Sequence, residues 1–149
     1  GINIEDSKVN DARTLTNANH FAGYLSAIKG QLATERVDIF INVRTDTFLL
    51  GEEAAVVETQ KRAKLYEAAG ADGLFVPCIV KNADIQAVVS ATILPVNVMC
   101  MPDLPDFETL ATLGVKRISM GNFLFDKLHN DLSNTLSHIQ QEKSFQPVF

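Results

Sequence analysis

The chain has 149 residues, 46% hydrophobic and 21% charged, and is long enough to bury one sizeable core as a single domain over residues 1–149. Its net charge of −5 and its lack of any basic run argue against a nucleic-acid partner, and no apolar stretch is long enough to span a membrane. With only two cysteines, Cys78 and Cys100, reduced thiols and a cytoplasmic location are expected.

Strand and helix patterns alternate from one end of the chain to the other. The predicted strands, in chain order, cover residues 1–4, 37–43, 73–77, 95–99 and 115–119. The predicted helices are one over residues 21–32 that Thr16 caps, then 52–69, 83–91, 107–113 and a long amphipathic one over 124–139. The second strand is almost entirely apolar, which is typical of a strand buried on both faces. Five strand-then-helix units predict an α/β fold with a parallel sheet.

Polar side chains lie where the predicted strands end. Glu5 follows the first strand and Arg44 the second, while Asn97 lies within the fourth and Ser119 ends the fifth. The carboxyl ends of parallel strands form the ligand-binding edge of α/β folds. The sequence therefore predicts that an acid, an arginine, an amide and a hydroxyl meet at one rim, where they would bind a small anionic substrate.

Two architectures fit five such units. One is a complete, doubly wound five-stranded sheet that serves as a binding or signalling module without catalysis. The other is part of a (β/α)₈ barrel, which normally needs about 250 residues. The order of the strands distinguishes them, because a doubly wound sheet reverses direction at a switch point and a barrel does not.

Five segments, in order, resemble consecutive parts of the isocitrate lyase/phosphoenolpyruvate mutase superfamily. They are Gly-Ile-Asn-Ile-Glu-Asp-Ser (1–7), Phe-Ile-Asn-Val-Arg-Thr-Asp (40–46), Ala-Gly-Ala-Asp-Gly-Leu-Phe-Val-Pro (69–77), Pro-Val-Asn-Val-Met (95–99) and Leu-Gly-Val-Lys-Arg-Ile-Ser-Met-Gly (113–121). They are similar to the fourth to eighth strands of that family's barrel. The resemblance implies a TIM-barrel fragment that covers strands 4–8 and their helices.

The resemblance also implies a function. Members of the superfamily use Mg²⁺ to stabilise the enolate of a small α-keto acid or phosphonopyruvate-like substrate while a C–C or P–C bond breaks or forms. The implied activity is that of a lyase, a phosphonomutase (an isomerase) or a related hydrolase or decarboxylase, working as a homo-oligomer. Glu5 and Arg44 would be catalytic: Glu5 would hold the metal through water, and Arg44 would bind the anionic substrate. Asn97 and Ser119 would donate hydrogen bonds to it. The family's direct metal ligands lie on the third strand, which this chain does not contain.

Departures from the family leave the substrate open. Residues 7–15 lack the Lys/Arg-Cys-Gly-His loop of the lyases, which disfavours isocitrate or methylisocitrate cleavage. Cys78 follows Pro77 where the lyases place a glutamate. Structural roles also remain open, since Arg44 could simply form a salt bridge with Glu5 or Asp46. Asn97 could satisfy backbone groups, and Asp6 is expected to be structural. The three histidines are expected to be surface residues.

Overall fold

The computed structural model describes all 149 residues and divides them into two compact units, Gly1–Ser119 and Met120–Phe149. The first unit contains seven strands, β1 (Ile2–Glu5), β2 (Ser7–Val9), β3 (Arg13–Leu15), β4 (Ile41–Arg44), β5 (Gly73–Val76), β6 (Val96–Met99) and β7 (Arg117–Ser119). Its helices are α1 (Ala18–Thr34), α2 (Ala55–Ala68), α3 (Asn82–Val89) and α4 (Phe107–Thr112). The second unit consists of α5 (Phe123–Glu142) and a short 3₁₀ helix, Gln146–Val148. The expectation of one domain over residues 1–149 stays a prediction.

Five strands form one parallel sheet in the order β1-β4-β5-β6-β7, so each strand pairs with the next large-sheet strand along the chain. A doubly wound sheet requires a switch point at which the strand order reverses, and this sheet has none. Sequential parallel strands, each followed by a helix, form part of a (β/α)₈ barrel. The barrel-fragment prediction is confirmed, and the alternative of a complete doubly wound module is wrong.

The two faces of this sheet differ in chemistry. Strand register aligns one row of aliphatic residues across four strands, Ile4, Val43, Leu74 and Val96. The next row along the strands points to the other face and consists of Glu5, Arg44, Phe75, Asn97 and Arg117. The buried core lies on the aliphatic face, where residues from α1, α2, α3 and α4 pack against the strands. The polar face is therefore the one that a barrel turns inward.

The predicted second strand is too long, but burial on both of its faces is confirmed for Ile41, Asn42 and Val43, each at most 2% exposed. Only Ile41–Arg44 is strand, and the preceding residues approach the sheet after a left-handed turn at Arg36, whose φ is 56°. The Phe40 carbonyl nevertheless accepts a hydrogen bond from the Ile2 amide. Within β4 only alternate residues face the helices, so Asn42 lies on the polar face despite its apolar neighbours.

The segment between β1 and α1 differs from the prediction in two ways. Residues 7–15, to which the sequence assigned no strand, form an antiparallel hairpin of β2 and β3. Asn17 rather than Thr16 caps α1, because the Asn17 side chain accepts a hydrogen bond from the His20 amide. The Thr16 amide instead donates to the Asp6 carbonyl, which joins the end of the hairpin to the end of β1.

The predicted helix stops are confirmed at two glycines. Gly70 and Gly114 follow α2 and α4 with φ of 94° and 90°, a backbone conformation that glycine adopts without strain. In the second unit, α5 has no buried residue, and Leu124, Leu128, Leu132 and Leu136 recur on it at intervals of four residues, each more than half exposed. None of the helices combines the length and the apolar character that crossing a bilayer requires.

Candidate active site

Four charged side chains form a closed ring at the carboxyl end of the sheet. The Glu5 carboxylate accepts a hydrogen bond from Arg44 Nη1 on Oε1, at 3.1 Å, and one from Arg13 Nη1 on Oε2, at 2.6 Å. The Asp46 carboxylate bridges the same two arginines, with Oδ1 at 2.6 Å from Arg44 Nε and Oδ2 at 2.7 Å from Arg13 Nη1. Positive and negative groups alternate around this ring of Glu5, Arg13, Asp46 and Arg44, which we call the rim ring.

Local folding brings the four members together. Glu5 and Arg44 end the neighbouring strands β1 and β4, where they are register partners. Asp46 follows β4 by two residues, and its amide donates to Asp6 Oδ1 at 3.1 Å. Arg13 begins β3, so the hairpin carries its guanidinium back over the end of β1. The Ser7 hydroxyl, in β2, donates to Asp46 Oδ2 and accepts from Arg13 Nη1 at 2.8 Å.

The rim ring is charged and only partly exposed. The Asp46 side chain is fully buried, whereas that of Glu5 is 39% exposed. Burial on its own would raise the pKa of Asp46, but hydrogen bonds from Ser7, Arg44 and Arg13 outweigh it and hold that pKa below its usual value. Hydrogen bonds to Glu5 and Asp46 raise the pKa of Arg13. The rim ring thus pairs two carboxylates with two guanidinium groups, whose formal charges cancel.

Arg44 retains donors for a ligand. Its Nε and Nη1 donate to the two ring carboxylates, while Nη2 forms no hydrogen bond within the protein. Its guanidinium carbon lies 5.9 Å from the centroid of the Phe75 ring on the same sheet face. Three contacts thus fix the orientation of the guanidinium and leave one amino group with two hydrogens unbonded. That is the arrangement an arginine needs to bind a carboxylate or phosphonate.

Asp6, next to Glu5 in sequence, belongs to a separate buried network. Its Oδ2 accepts hydrogen bonds from Arg62 Nη1 at 2.8 Å and from the Tyr66 hydroxyl at 2.7 Å, both on α2. Burial and the negative charge of Asp6 raise the pKa of Tyr66 far above its usual value, so the hydroxyl keeps its proton and donates. The structural role expected for Asp6 agrees with this network, which fastens α2 to the end of β1.

Asn97 and Ser119 share the polar face, but they do not join the rim ring. Asn97 is the second residue of β6, is only 3% exposed, and its Oδ1 has no hydrogen-bond partner. Ser119 ends β7, and its hydroxyl donates to the Val98 carbonyl at 3.3 Å. The geometry thus brings Glu5 and Arg44 together and leaves Asn97 and Ser119 apart from them. Their roles in substrate binding stay predictions.

Cys78 also lies near this end of the sheet. It follows β5 in a left-handed conformation, with φ of 65°, and is partly buried. Burial raises the pKa of the Cys78 thiol, which favours the neutral form, although the charge of Arg44 acts in the opposite direction. It lines an open cavity of about 550 Å³ that also contains Phe48, Lys81 and Asp84. A neutral thiol at this position is suited to packing more than to nucleophilic attack.

The residues of this chain do not fit a direct Mg²⁺ site. Mg²⁺ requires several oxygen ligands in near-octahedral geometry. No three His, Cys, Asp or Glu side chains are grouped so that they could hold an ion, and both oxygens of Glu5 and of Asp46 already accept hydrogen bonds from arginines. His20 lies on α1, and His129 and His138 lie on α5. Glu5, with its partly exposed carboxylate, is the member of the rim ring that could meet a metal-bound water.

Sequence reasoning did not single out Arg13. It lies in a segment with no strand prediction, and its contacts with Glu5 and Asp46 depend on the hairpin, whose strands have only three residues each. Asp46 was considered only as a salt-bridge partner of Arg44. The signal that could have identified Asp46 as a site residue is its position in the segment Arg-Thr-Asp, directly after a buried strand and next to Arg44.

Comparison with known proteins gives one consistent family. The model of the family described as phosphoenolpyruvate phosphomutase matches residues 1–140. An uncharacterized protein of Mycobacterium tuberculosis (strain CDC 1551 / Oshkosh) is 38% identical over 123 residues, which are 82% of this chain and 44% of that protein.

Two solved structures are similar in fold. The crystal structure of a protein of Burkholderia cenocepacia J2315, provisionally assigned as a phosphonomutase, is 36% identical with a TM-score of 0.81 and is matched over 91% of this chain and 58% of its own. Oxaloacetate acetylhydrolase in complex with its product oxalate is 15% identical with a TM-score of 0.81, over 96% of this chain and 50% of its own. The second likeness shows the fold alone. The chain spans about half the length of the relatives it matches.

Proposed function

The chain belongs to the phosphoenolpyruvate phosphomutase family, and we propose that the whole protein acts on a small α-keto acid or phosphonopyruvate-like anion through an enolate. The family supports an enzyme of the lyase or mutase type. The finer statement, that a C–C or P–C bond breaks or forms, is part of the proposal, as is a cytoplasmic location. The single observation that carries the proposal is Arg44, whose guanidinium is fixed at the carboxyl end of the sheet with Nη2 unbonded.

Arg44 would bind the anionic group of the substrate. Its Nη2 hydrogens are free, and its orientation is fixed before binding, so ordering the side chain adds little to the cost of association. A carboxylate or phosphonate oxygen beside Nη2 would leave the rest of the substrate over the polar face of the sheet. Asn97 and Ser119 are proposed as further hydrogen-bond donors on that face. Glu5 would hold Arg44 in place and would orient a water.

Mg²⁺ enters this proposal only for the whole protein. It would act as a Lewis acid on the developing enolate. Because the chain itself does not provide a direct site, the ligands of the ion would come from other residues of the protein, and Glu5 would contact it through water. No step assigned to the residues of this chain requires the ion.

We also propose that the protein is a homo-oligomer. The four leucines of α5 present an apolar row with more than half of each side chain exposed. In a homo-oligomer, the same surface of a second copy of the chain would cover this row. The expectations that no nucleic acid and no membrane is a partner stay predictions.

Arg44→Lys tests the proposed function. Lysine keeps the positive charge but loses the planar fork, so we expect the affinity for oxalate, an analogue of a small enolate, to fall by about tenfold or more. Because lysine retains the charge but loses the Nε hydrogen bond to the buried Asp46 carboxylate, the free energy of unfolding should fall by no more than about 1.5–3 kcal/mol. Calorimetric titration of the full-length protein with oxalate, with and without Mg²⁺, together with urea unfolding, measures both quantities.

Arg117→Lys is the matched control. Arg117 lies on the same face of the sheet and forms no salt bridge, but it begins β7 and lies over Phe40, which precedes β4. It is therefore at the amino end of the strands, away from the rim ring. We expect it to leave oxalate binding unchanged. Equal affinities for oxalate in Arg44→Lys and the wild type would remove Arg44 from the site and with it the proposed function.

A further inference from the structure

We propose that Arg13 is a positioning residue that fixes the guanidinium of Arg44 by holding the two carboxylates between which Arg44 lies. The proposal rests on the proposed function of Arg44 in binding the substrate. Arg13 itself would not need to touch the substrate. Its role follows from the closed shape of the rim ring.

The first step is the pattern of bonds. Each ring carboxylate has two oxygens and uses one for each arginine. Arg44 therefore meets one oxygen of Glu5 and one of Asp46, and the remaining oxygen of each carboxylate meets Arg13. Removing Arg13 would leave one oxygen of Glu5 without a protein donor and one oxygen of Asp46 with Ser7 alone.

The second step is charge. With both arginines present, two positive and two negative charges cancel in the rim ring. Without Arg13 the two carboxylates would share the single guanidinium of Arg44, and the ring would carry a net negative charge. Both carboxylates would then attract the free Nη2 of Arg44, which is the group left for a ligand. An excess negative charge beside the site would also repel an anionic substrate.

The third step is the location of Arg13 on the hairpin. Its side chain is 31% exposed, and the two hydrogens of its Nη1 are shared among three acceptors, on Glu5, Ser7 and Asp46. Its hydrogen bond to Asp46 connects the hairpin to the residues that follow β4. Arg13 thus joins the hairpin, β1 and β4 at one point. A residue there can set the geometry of Arg44 through the two carboxylates that both arginines bond.

The test compares Arg13→Gln, Arg13→Lys and the wild type in the full-length protein. The first readout is water exchange of the Arg44 Nε proton by ¹⁵N-edited NMR, with the resonance identified by its absence in Arg44→Lys. We expect Arg13→Gln to speed this exchange and to weaken oxalate binding by about tenfold, the effect of losing a hydrogen bond to a charged group. Arg13→Lys should recover part of both, because it keeps the charge.

Lys8→Gln is the control for charge. Lys8 lies on the same hairpin, is exposed and forms no salt bridge, so its loss should change neither readout. An unchanged exchange rate of the Arg44 Nε proton in Arg13→Gln would overturn the positioning role, whatever the affinity of this variant for oxalate. An effect of Lys8→Gln equal to that of Arg13→Gln would also overturn it, because net charge alone would then explain the loss. The exchange measurement needs no ligand. It therefore tests the positioning role separately from the proposed function, which fails if oxalate binds Arg44→Lys as tightly as the wild type.

Discussion

Two neighbouring acids, Glu5 and Asp6, form ion pairs that differ in burial: those of Glu5 are partly exposed and that of Asp6 is buried. Successive side chains at the end of a strand point to opposite faces of the sheet. Glu5 points to the polar face and joins the partly exposed rim ring, whereas Asp6 points toward α2 and pairs with Arg62, whose side chain is 5% exposed. Both acids therefore have arginine partners. They differ in burial and in whether a donor is left unbonded.

The comparison separates a scaffold from a site. Asp6 has three donors, from Arg62, Tyr66 and the amide of Asp46, all of them buried. A network of this kind holds elements in fixed positions, and breaking it leaves a buried charge without a partner. The rim ring next to it is supported through the Asp46 amide and keeps the Nη2 group of Arg44 unbonded. Proximity to the rim alone does not make an acid part of the site.

The largest effect is expected when the Asp6 network is broken. Arg62→Met removes the buried positive charge while keeping much of the side-chain volume, so the Asp6 carboxylate would be left unpaired. We expect the free energy of unfolding to fall by about 3–5 kcal/mol. Urea unfolding followed by circular dichroism measures the change.

Lys64→Met on the same helix is the matched control for Arg62→Met. Lys64 is exposed and forms no salt bridge, so its replacement should cost less than about 0.5 kcal/mol. Equal costs for Arg62→Met and Lys64→Met would show that the buried pair is not a scaffold, and the distinction between the two acids would fail.

Sequence patterns predicted the parallel sheet and the position of Glu5 and Arg44 because both depend on local signals. Apolar runs mark the strands, and glycines at 70 and 114 mark the ends of two helices. Strand ends in a parallel sheet then bring Glu5 and Arg44 to the same edge. The sequence could not say that β4 has a polar face, since Ile41 to Val43 are apolar around a single asparagine.

The sequence allowed a salt bridge between Arg44 and Glu5, which the structure contains. The contacts of Arg13 and Arg62 could not be predicted, because they depend on the tertiary structure. Arg13 reaches Asp46 across 33 positions of sequence, and Arg62 reaches Asp6 across 56. No periodicity encodes such pairs. The hairpin that carries Arg13 has strands of three residues, which are too short for an alternating pattern to be recognised.

A smaller effect on the free energy of unfolding is expected when the pH is lowered, and it arises from Asp46 in the rim ring. The pKa of Asp46 is lower in the folded chain than in the unfolded one, so the unfolded state binds the proton more readily and the stabilisation is lost as pH falls. Ser7→Ala removes one hydrogen bond that lowers this pKa. It should cost about 1 kcal/mol at neutral pH, and this cost should shrink below about pH 4 as Asp46 becomes protonated.

Urea unfolding of Ser7→Ala and the wild type at a series of pH values measures that difference. Other acids with lowered pKa values, Glu67, Asp72 and Asp106, contribute equally to both proteins and cancel. The Asp6 network is unchanged in this variant. A cost of Ser7→Ala that does not shrink at any acidic pH at which both proteins remain folded would mean that the Ser7 hydroxyl does not act through the charge of Asp46.

The smallest effect is expected from salt, and it compares the two acids directly. Glu5→Gln removes a carboxylate that is 39% exposed, so at low ionic strength it should cost less than about 1 kcal/mol. At about 1 M NaCl, where the screening length is about 3 Å, that cost should shrink toward zero. The cost of Arg62→Met should barely change, because water and ions do not reach the Asp6 pair.

Unfolding of both variants and the wild type at the two salt concentrations measures these differences. A cost of Glu5→Gln above about 2 kcal/mol that ignores salt would place Glu5 in the scaffold beside Asp6.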